Sequence, residues 1–230
     1  MFFTIYRLFI SSKNKNKYDV FLSVSLINNT KKFLVFFHKI YNINVDKLYL
    51  RNKYLEIRKN IADKEEISRK TFQLAEKLDI YKKSKVIALF SSMQNEIDTT
   101  FFAIDCLKDH KKICYPKSYK DGVMEFYFVN NLAELVNVGP FKIKEPVEDK
   151  NTLVNKNDID LMIIPGIVFD TFKNRVGFGK GYYDHYLFNN KNIYKLVVTF
   201  DNLIMKNDKI DVQESDVKVD MILSLYNVIK

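Results

Sequence analysis

Cysteine and glycine are scarce in this chain of 230 residues, and no long apolar run interrupts it. The two cysteines, Cys106 and Cys114, cannot build a disulfide framework, which favours a reducing, intracellular compartment. Apolar stretches at 1–10, 20–27 and 33–37 all end before the roughly 18 to 20 residues that a membrane-spanning helix needs. We therefore predict no membrane span.

The hydrophobic content and the charge distribution narrow the class of protein further. Hydrophobic residues make up 47% of the sequence, which excludes disorder as the main state. The net charge of +9 would suit anionic partners. Residues 1–45, however, hold seven basic residues and one acid, so this segment carries +6 of that charge. Basic and aromatic residues do not interleave there as in a nucleic-acid platform, and we predict no nucleic-acid partner.

Residues 1–45 are predicted to be an N-terminal extension, for which two interpretations stay open. The segment is poor in acids and contains lysine and serine, as some organelle-targeting leaders do. Alternatively, it is a disordered tail in a chain that is rich in lysine and asparagine. The first interpretation predicts a mitochondrial or other organellar protein, and the second a cytoplasmic one.

From residue 46 onward, helical and strand periodicities alternate. A basic amphipathic helix is predicted first, and Asp63 followed by Glu66 predicts a capping box for a second helix. Further helices are predicted at 99–108 and 182–188. Strands are predicted at 86–90, 112–115, 124–129, 160–164, 194–200 and 219–225, the second of them ending at Pro116. The alternation predicts a single α/β domain over residues 46–230, with a largely parallel central sheet covered by helices on both faces.

Four of the six glycines fall within sixteen residues, namely Gly166, Gly177, Gly179 and Gly181. Glycine lets the backbone approach a ligand closely, and the neighbouring Arg175 and Lys180 add positive charge, so the segment predicts a phosphate site. It is not a Walker A loop, because Lys180 is followed by glycine rather than Ser or Thr. The alternative is a tight glycine turn between a strand and a helix.

The segment 163–186 resembles the signature of the 5-formyltetrahydrofolate cyclo-ligases, also called methenyltetrahydrofolate synthetases. The shared features are a Pro-Gly, a Phe-Asp, an Asn-Arg and a closing Gly-Tyr-Tyr-Asp. Further similarity lies in the pair Lys47 and Arg51 and in the segments 93–99, 139–146 and 216–220. The resemblance covers about residues 46–226 in consistent order.

This resemblance implies an ATP- and Mg²⁺-dependent conversion of 5-formyltetrahydrofolate to 5,10-methenyltetrahydrofolate, with release of ADP and phosphate. A formyl oxygen is a poor leaving group, so it would first be phosphorylated, and N10 of the folate would then attack. Such a step depends on positioning and charge neutralisation. The implied partners are the folate and its polyglutamates, and the protein is expected to be a monomer.

The resemblance also assigns roles to residues. Lys180 and Arg175 would act in catalysis, and Asp184 and Asp216 would hold Mg²⁺. ATP would be bound by Lys47, Arg51, Arg175, Gly177, Gly179, Lys180, Gly181 and Tyr183. The folate would be bound by Glu96, Met93, Phe141, Phe178 and Tyr182.

Two other functions remain open at this point. The first is a relative with the same fold that acts on a changed substrate or has a regulatory role. The second is a basic protein that binds RNA or a membrane surface, which would spread its charge over the folded domain. Most of the positive charge lies instead in residues 1–45.

Overall fold

The computed structural model describes residues 46–137, 143–188, 190 and 192–230, together with the backbone of strands β1 (Ser11–Asn14) and β2 (Lys17–Asp19). Backbone contacts divide the chain into two units, Met1–Ile43 and Asn44–Lys230. In the first unit, β1 and β2 pair antiparallel. The predicted leader or tail otherwise lies outside the described residues. The rest of this section concerns the second unit.

Five α-helices are described in the second unit. The first, α1, begins after Asp46, whose side chain accepts a hydrogen bond from the Leu48 amide at 3.0 Å and so caps the helix. The predicted capping box of the second helix is wrong, because Asp63 adopts φ +49° and its side chain makes no capping hydrogen bond. The helices are α1 (Lys47–Lys59), α2 (Lys64–Ala75), α3 (Asp79–Lys83), α4 (Thr100–Lys108) and α5 (Tyr182–Leu187).

A seven-stranded sheet forms the centre of the unit. Its order is β14-β13-β11-β8-β3-β4-β5, with parallel pairing from β13 through β4 and antiparallel pairing at the two edges. The strands are β3 (Val86–Ala88), β4 (Lys112–Ser118), β5 (Met124–Val129), β8 (Leu161–Ile163), β11 (Tyr194–Val198), β13 (Met221–Leu223) and β14 (Val228–Ile229). The predicted largely parallel α/β sheet is confirmed.

Layers on both faces of this sheet bury its central strands. Every residue of β3, β8 and β13 is buried, and because successive side chains point to opposite faces, both faces must be covered. On one of these layers α2 packs against α4, where the rings of Phe72 and Phe102 stack at 4.6 Å. Helix α5 packs against the edge strand β5.

Two small sheets were not predicted from the sequence. One pairs β6 (Leu135–Asn137) with β7 (Lys144–Pro146), and the other has the order β10-β9-β12. Its strands are β9 (Val168–Asp170), β10 (Arg175–Val176) and β12 (Ile204–Met205). The predicted end of β4 at Pro116 is also wrong. The strand continues to Ser118, beyond the last pairing with β3, where proline's missing N–H removes no bond to that neighbour.

Within the described ranges, no helix is long and apolar enough to cross a membrane. The apolar runs of residues 1–45 lie outside those ranges.

Both cysteines are fully buried, and this gives a direct test of the core. Burial raises the pKa of the Cys106 thiol to about 12 and raises that of Cys114 as well. At pH 8 only about one Cys106 side chain in ten thousand would be a reactive thiolate. We expect a thiol reagent to label neither cysteine in the native protein and both after unfolding in denaturant. Rapid labelling of the native protein would contradict this packing.

Candidate active site

A cleft of about 790 Å³ lies beside the carboxyl ends of β3 and β8. From β3 the chain proceeds to β4 and β5 on one side, whereas β8, β11 and β13 lie on the other. In open α/β sheets, ligands bind where the strand order reverses in this way. Phe90 and Ser91, after β3, and Pro165, after β8, line the cleft. The site was therefore positioned by the topology of the sheet.

The glycine-rich loop forms one wall of this cleft. Gly179 and Gly181 adopt φ of +89° and +71°, which a residue with a Cβ rarely adopts. A Cβ on Gly179 would also lie 3.2 Å from the Arg51 guanidinium. The backbone conformation requires glycine at both positions, and at Gly179 the nearby Arg51 cation leaves no room for a side chain.

Asp170 anchors the start of this segment. Its carboxylate is fully buried and accepts hydrogen bonds of 2.8 to 2.9 Å from the amides of Phe172, Asn174 and Ile210 and from the Asn174 side chain. These four bonds fix the turn between β9 and β10 and attach it to the segment after β12. Asp170 thus determines where the glycine loop begins.

Helix α1 contributes the predicted pair of cations to the cleft. Arg51 donates from Nε to the Gly177 carbonyl at 2.7 Å, which holds the loop against the helix. Lys47 forms an ion pair with Asp216, which also accepts a hydrogen bond from the Gln213 amide at 2.6 Å. The four-residue spacing puts both cations on the same side of α1.

The other two predicted cations lie on the loop itself. Arg175 is buried and forms a bidentate ion pair with Asp184, with Nη2 to Oδ1 at 2.9 Å and Nη1 to Oδ2 at 3.4 Å. Asp184 also accepts from the Val217 amide at 2.9 Å. Lys180, by contrast, is exposed and makes no ion pair with any described residue. In this loop, Arg175 is therefore held in its ion pair, whereas Lys180 remains available to a ligand.

Glu96 also lines the cleft and is almost fully buried. Arg58 donates from Nη1 to Oε1 at 3.1 Å, and the Met93 amide donates to Oε2 at 2.9 Å. Burial raises the pKa of Glu96, whereas the Met93 amide and the Arg58 charge lower it. The Arg58 guanidinium also lies 5.6 Å from the centre of the Phe178 ring, within the range of a cation–π contact. Arg58 thus joins Glu96 to the glycine loop.

The two tyrosines that follow the loop also line the cleft. The Tyr182 hydroxyl donates to the Tyr119 carbonyl at 2.9 Å, which fixes its ring. Burial and the charge of Glu96 raise the pKa of Tyr183, against the opposing effect of Arg175. Tyr183 therefore remains a neutral phenol.

The structure brings nearly all of the predicted site residues into one cleft, although they come from four separate parts of the chain. Phe141 lies outside the described residues. The predicted residues that line the cleft are Lys47, Arg51, Met93, Glu96, Arg175, Gly177, Phe178, Gly179, Lys180, Gly181, Tyr182, Tyr183, Asp184 and Asp216.

The carboxylates present are compatible with a hard cation held jointly with phosphate oxygens. The described part of the chain contains no cluster of three His, Cys, Asp or Glu that could bind a metal alone. Both contacts of Asp216 are made by Oδ2, which leaves Oδ1 without a partner among the described residues. Mg²⁺ is commonly bound by one or two carboxylates together with substrate phosphates, so the donor set fits.

Comparison with known proteins identifies the family. The sequence model of the 5-formyltetrahydrofolate cyclo-ligase family matches residues 43–225, about four fifths of the chain. The chain belongs to this family. It is 31% identical over 195 residues to the mouse 5-formyltetrahydrofolate cyclo-ligase, covering 79% of this chain and 94% of the mouse protein.

Solved structures of methenyltetrahydrofolate synthetases have the same fold as this cyclo-ligase. The Aquifex aeolicus protein superposes with a TM-score of 0.69 at 34% identity, covering 79% of this chain and 91% of that one. The Mycoplasma pneumoniae protein superposes with a TM-score of 0.62 at 26% identity, covering 79% of this chain and 99% of that one. The predicted enzyme class is confirmed: the chain is a cyclo-ligase that converts 5-formyltetrahydrofolate to the methenyl form.

Sequence reasoning missed three residues that shape this cyclo-ligase site. Arg58 lies seven residues after Arg51, a spacing that puts both on one side of α1 and could have drawn attention to it. Asp170 and Glu145 lie in segments that resemble the family, but the sequence pattern assigns neither of them a role. Glu145 is buried in the cleft wall, which no local pattern indicates.

Proposed function

We propose that this cyclo-ligase uses ATP and Mg²⁺ to close the folate ring, with the glycine loop and α1 binding the triphosphate. Two cations without a carboxylate partner among the described residues carry this proposal. Within that part of the chain, Arg51 contacts only the Gly177 carbonyl oxygen, and Lys180 has no ion-pair partner. Because Lys47 and Arg175 are already paired with Asp216 and Asp184, the free charge is concentrated beside the glycines, as a phosphate site requires.

The proposed reaction has two steps. The formyl oxygen attacks the γ-phosphorus while the bond to the bridging oxygen breaks, and ADP leaves. N10 then attacks the formyl carbon and loses its proton, and phosphate departs to leave the methenyl product. Lys180 and Arg51 stabilise the charge on the transferring phosphoryl group, which is how such reactions are mainly accelerated.

Asp216 and Asp184 are proposed to hold Mg²⁺. Bound there, the ion would neutralise charge on the phosphates. Oδ1 of Asp216, which has no partner among the described residues, is the available ligand atom, and Lys47 keeps the opposite oxygen in place. Arg175 fixes the orientation of Asp184 through its bidentate contact.

The folate is proposed to occupy the part of the cleft near Met93, Glu96 and Tyr182. Met93 and Tyr182 offer apolar surface beside the buried carboxylate, and the exposed ring of Phe178 closes the loop side. Polyglutamates are proposed as physiological substrates and the monomer as the active unit. The compartment is proposed to be the cytoplasm, or an organelle if residues 1–45 act as a leader.

A single assay tests the proposed function. The purified full-length chain is mixed with 5-formyltetrahydrofolate, ATP and Mg²⁺, and the methenyl chromophore is followed in the near ultraviolet. We expect a rise in absorbance that requires all three components and stops when EDTA is added. Product formation without ATP or Mg²⁺ would contradict the proposed cofactor use. Binding of ATP without any folate turnover would favour the relative with a changed substrate.

A further inference from the structure

Glu145 is a second buried carboxylate in the cleft, and its surroundings differ from those of Glu96. It lies in β7 and is only 4% exposed, yet it lines the cleft. Strand β7 is fastened to the end of β3 by a hydrogen bond of 2.5 Å from the Ser91 hydroxyl to the Lys144 carbonyl. The carboxyl group is thus held on a fixed part of the wall.

Within the described ranges, Glu145 has few partners. Its Oε1 accepts one long hydrogen bond, 3.3 Å, from the Ser118 amide, and it forms no ion pair with any described residue. In those ranges, some fully buried side-chain nitrogen and oxygen atoms have no hydrogen-bond partner. These atoms belong to Glu76, Asn174, Arg175 and Tyr186. Oε2 of Glu145 is not one of these buried atoms, so it remains accessible on a residue that lines the cleft.

A buried carboxylate with so few hydrogen bonds requires a hydrogen-bond donor from outside the protein. Removing a charge from water costs several kcal/mol unless hydrogen bonds or a counter-charge replace the lost hydration. Both oxygens of Glu96 already receive hydrogen bonds from within the protein. Of the two buried carboxylates among the described cleft residues, Glu145 therefore has the greater acceptor capacity left for a ligand.

We infer that Glu145 is a specificity-determining residue that binds the aminopyrimidinone edge of the pterin ring. The inference rests on the proposed function, because the folate supplies this edge. N3–H and the 2-amino group are adjacent N–H donors on that edge, and a carboxylate, which only accepts, can take both. Adenine instead presents an acceptor, N1, beside its amino group. The carboxylate of Glu145 thus favours the pterin over the nucleotide base.

The test compares Glu145→Gln with Glu65→Gln, which removes the same charge from the exposed start of α2 outside the cleft. Binding of 5-formyltetrahydrofolate to the full-length chain is measured by calorimetry without nucleotide. We expect Kd to rise about 10- to 100-fold for Glu145→Gln, because this variant loses a hydrogen bond to a charged group. For Glu65→Gln we expect Kd to stay unchanged. The KM for ATP should not change in either variant.

An analogue of the folate that lacks the 2-amino group gives a second readout. The wild-type chain should bind this analogue more weakly than the parent folate, by a factor of about 10 or more. For Glu145→Gln, the affinities for the two ligands should differ much less. A Kd for Glu145→Gln within about twofold of wild type, or equal binding of both ligands by wild type, would overturn the inference.

Two further outcomes separate the possible failures. If the thermal melt shows that Glu145→Gln does not fold, the inference is tested by the wild-type chain alone, through its affinities for the parent folate and for the analogue. If the wild-type chain does not bind 5-formyltetrahydrofolate at all, the proposed function fails and the inference fails with it.

Discussion

Replacing Lys180 by alanine should lower kcat by roughly two orders of magnitude or more, because the variant loses the available cation of the glycine loop. The side chain is exposed and makes no ion pair with a described residue, so its removal should leave the free energy of unfolding nearly unchanged. The measurement is steady-state formation of the methenyl product at saturating ATP and folate.

Lys206→Ala is the matched control, since Lys206 is also exposed and does not line the cleft. We expect it to retain wild-type turnover. Lys180→Arg should recover only part of the activity, because a planar guanidinium places its charge differently from an ammonium group. A kcat for Lys180→Ala near that of wild type would remove Lys180 from the chemical step.

Replacing Asp170 by alanine should reduce the free energy of unfolding by about 4 kcal/mol. The change leaves three backbone amides and one side-chain amide without their acceptor in a fully buried position, and each unsatisfied donor costs about 1 to 3 kcal/mol unless the turn rearranges. Urea unfolding followed by circular dichroism measures the loss. Turnover should fall as well, because Asp170 fixes the start of the glycine loop.

Two other variants make this result interpretable. Asp170→Asn keeps the shape and one acceptor oxygen, so it should lose less stability than the alanine variant. Asp211→Ala removes an exposed carboxylate one residue after Ile210 and should be neutral. If Asp170→Ala unfolds at the same urea concentration as Asp211→Ala, the four hydrogen bonds do not organise the loop.

Elements with a strong local signal were predictable from the sequence. The buried strands β3 and β8 are short apolar runs, and their consecutive burial follows from a sheet covered on both faces. The glycine cluster was identifiable because φ values such as +89° at Gly179 restrict the choice of residue. The short strands β9, β10 and β12 escaped prediction, since two or three residues have no measurable period.

The capping box at Asp63 shows the limit of local patterns. The residue types were suitable, but the backbone there adopts the left-handed conformation, and the side chain makes no capping hydrogen bond. Helix α2 packs against α4, and a capping bond worth about 1 kcal/mol can be outweighed by such packing.

The sequence by itself determined the fold class, the family and most of the residues that line the cleft. Only the tertiary structure decided how those residues are paired. Lys47 meets Asp216 across 169 positions, Arg58 meets Glu96 across 38, and Glu145 has acceptor capacity left for a ligand. Hydrophobic periodicity specifies which face of an element is buried but not its neighbours. The order of strands in the sheet brings distant residues together, and that order follows from packing of the whole domain.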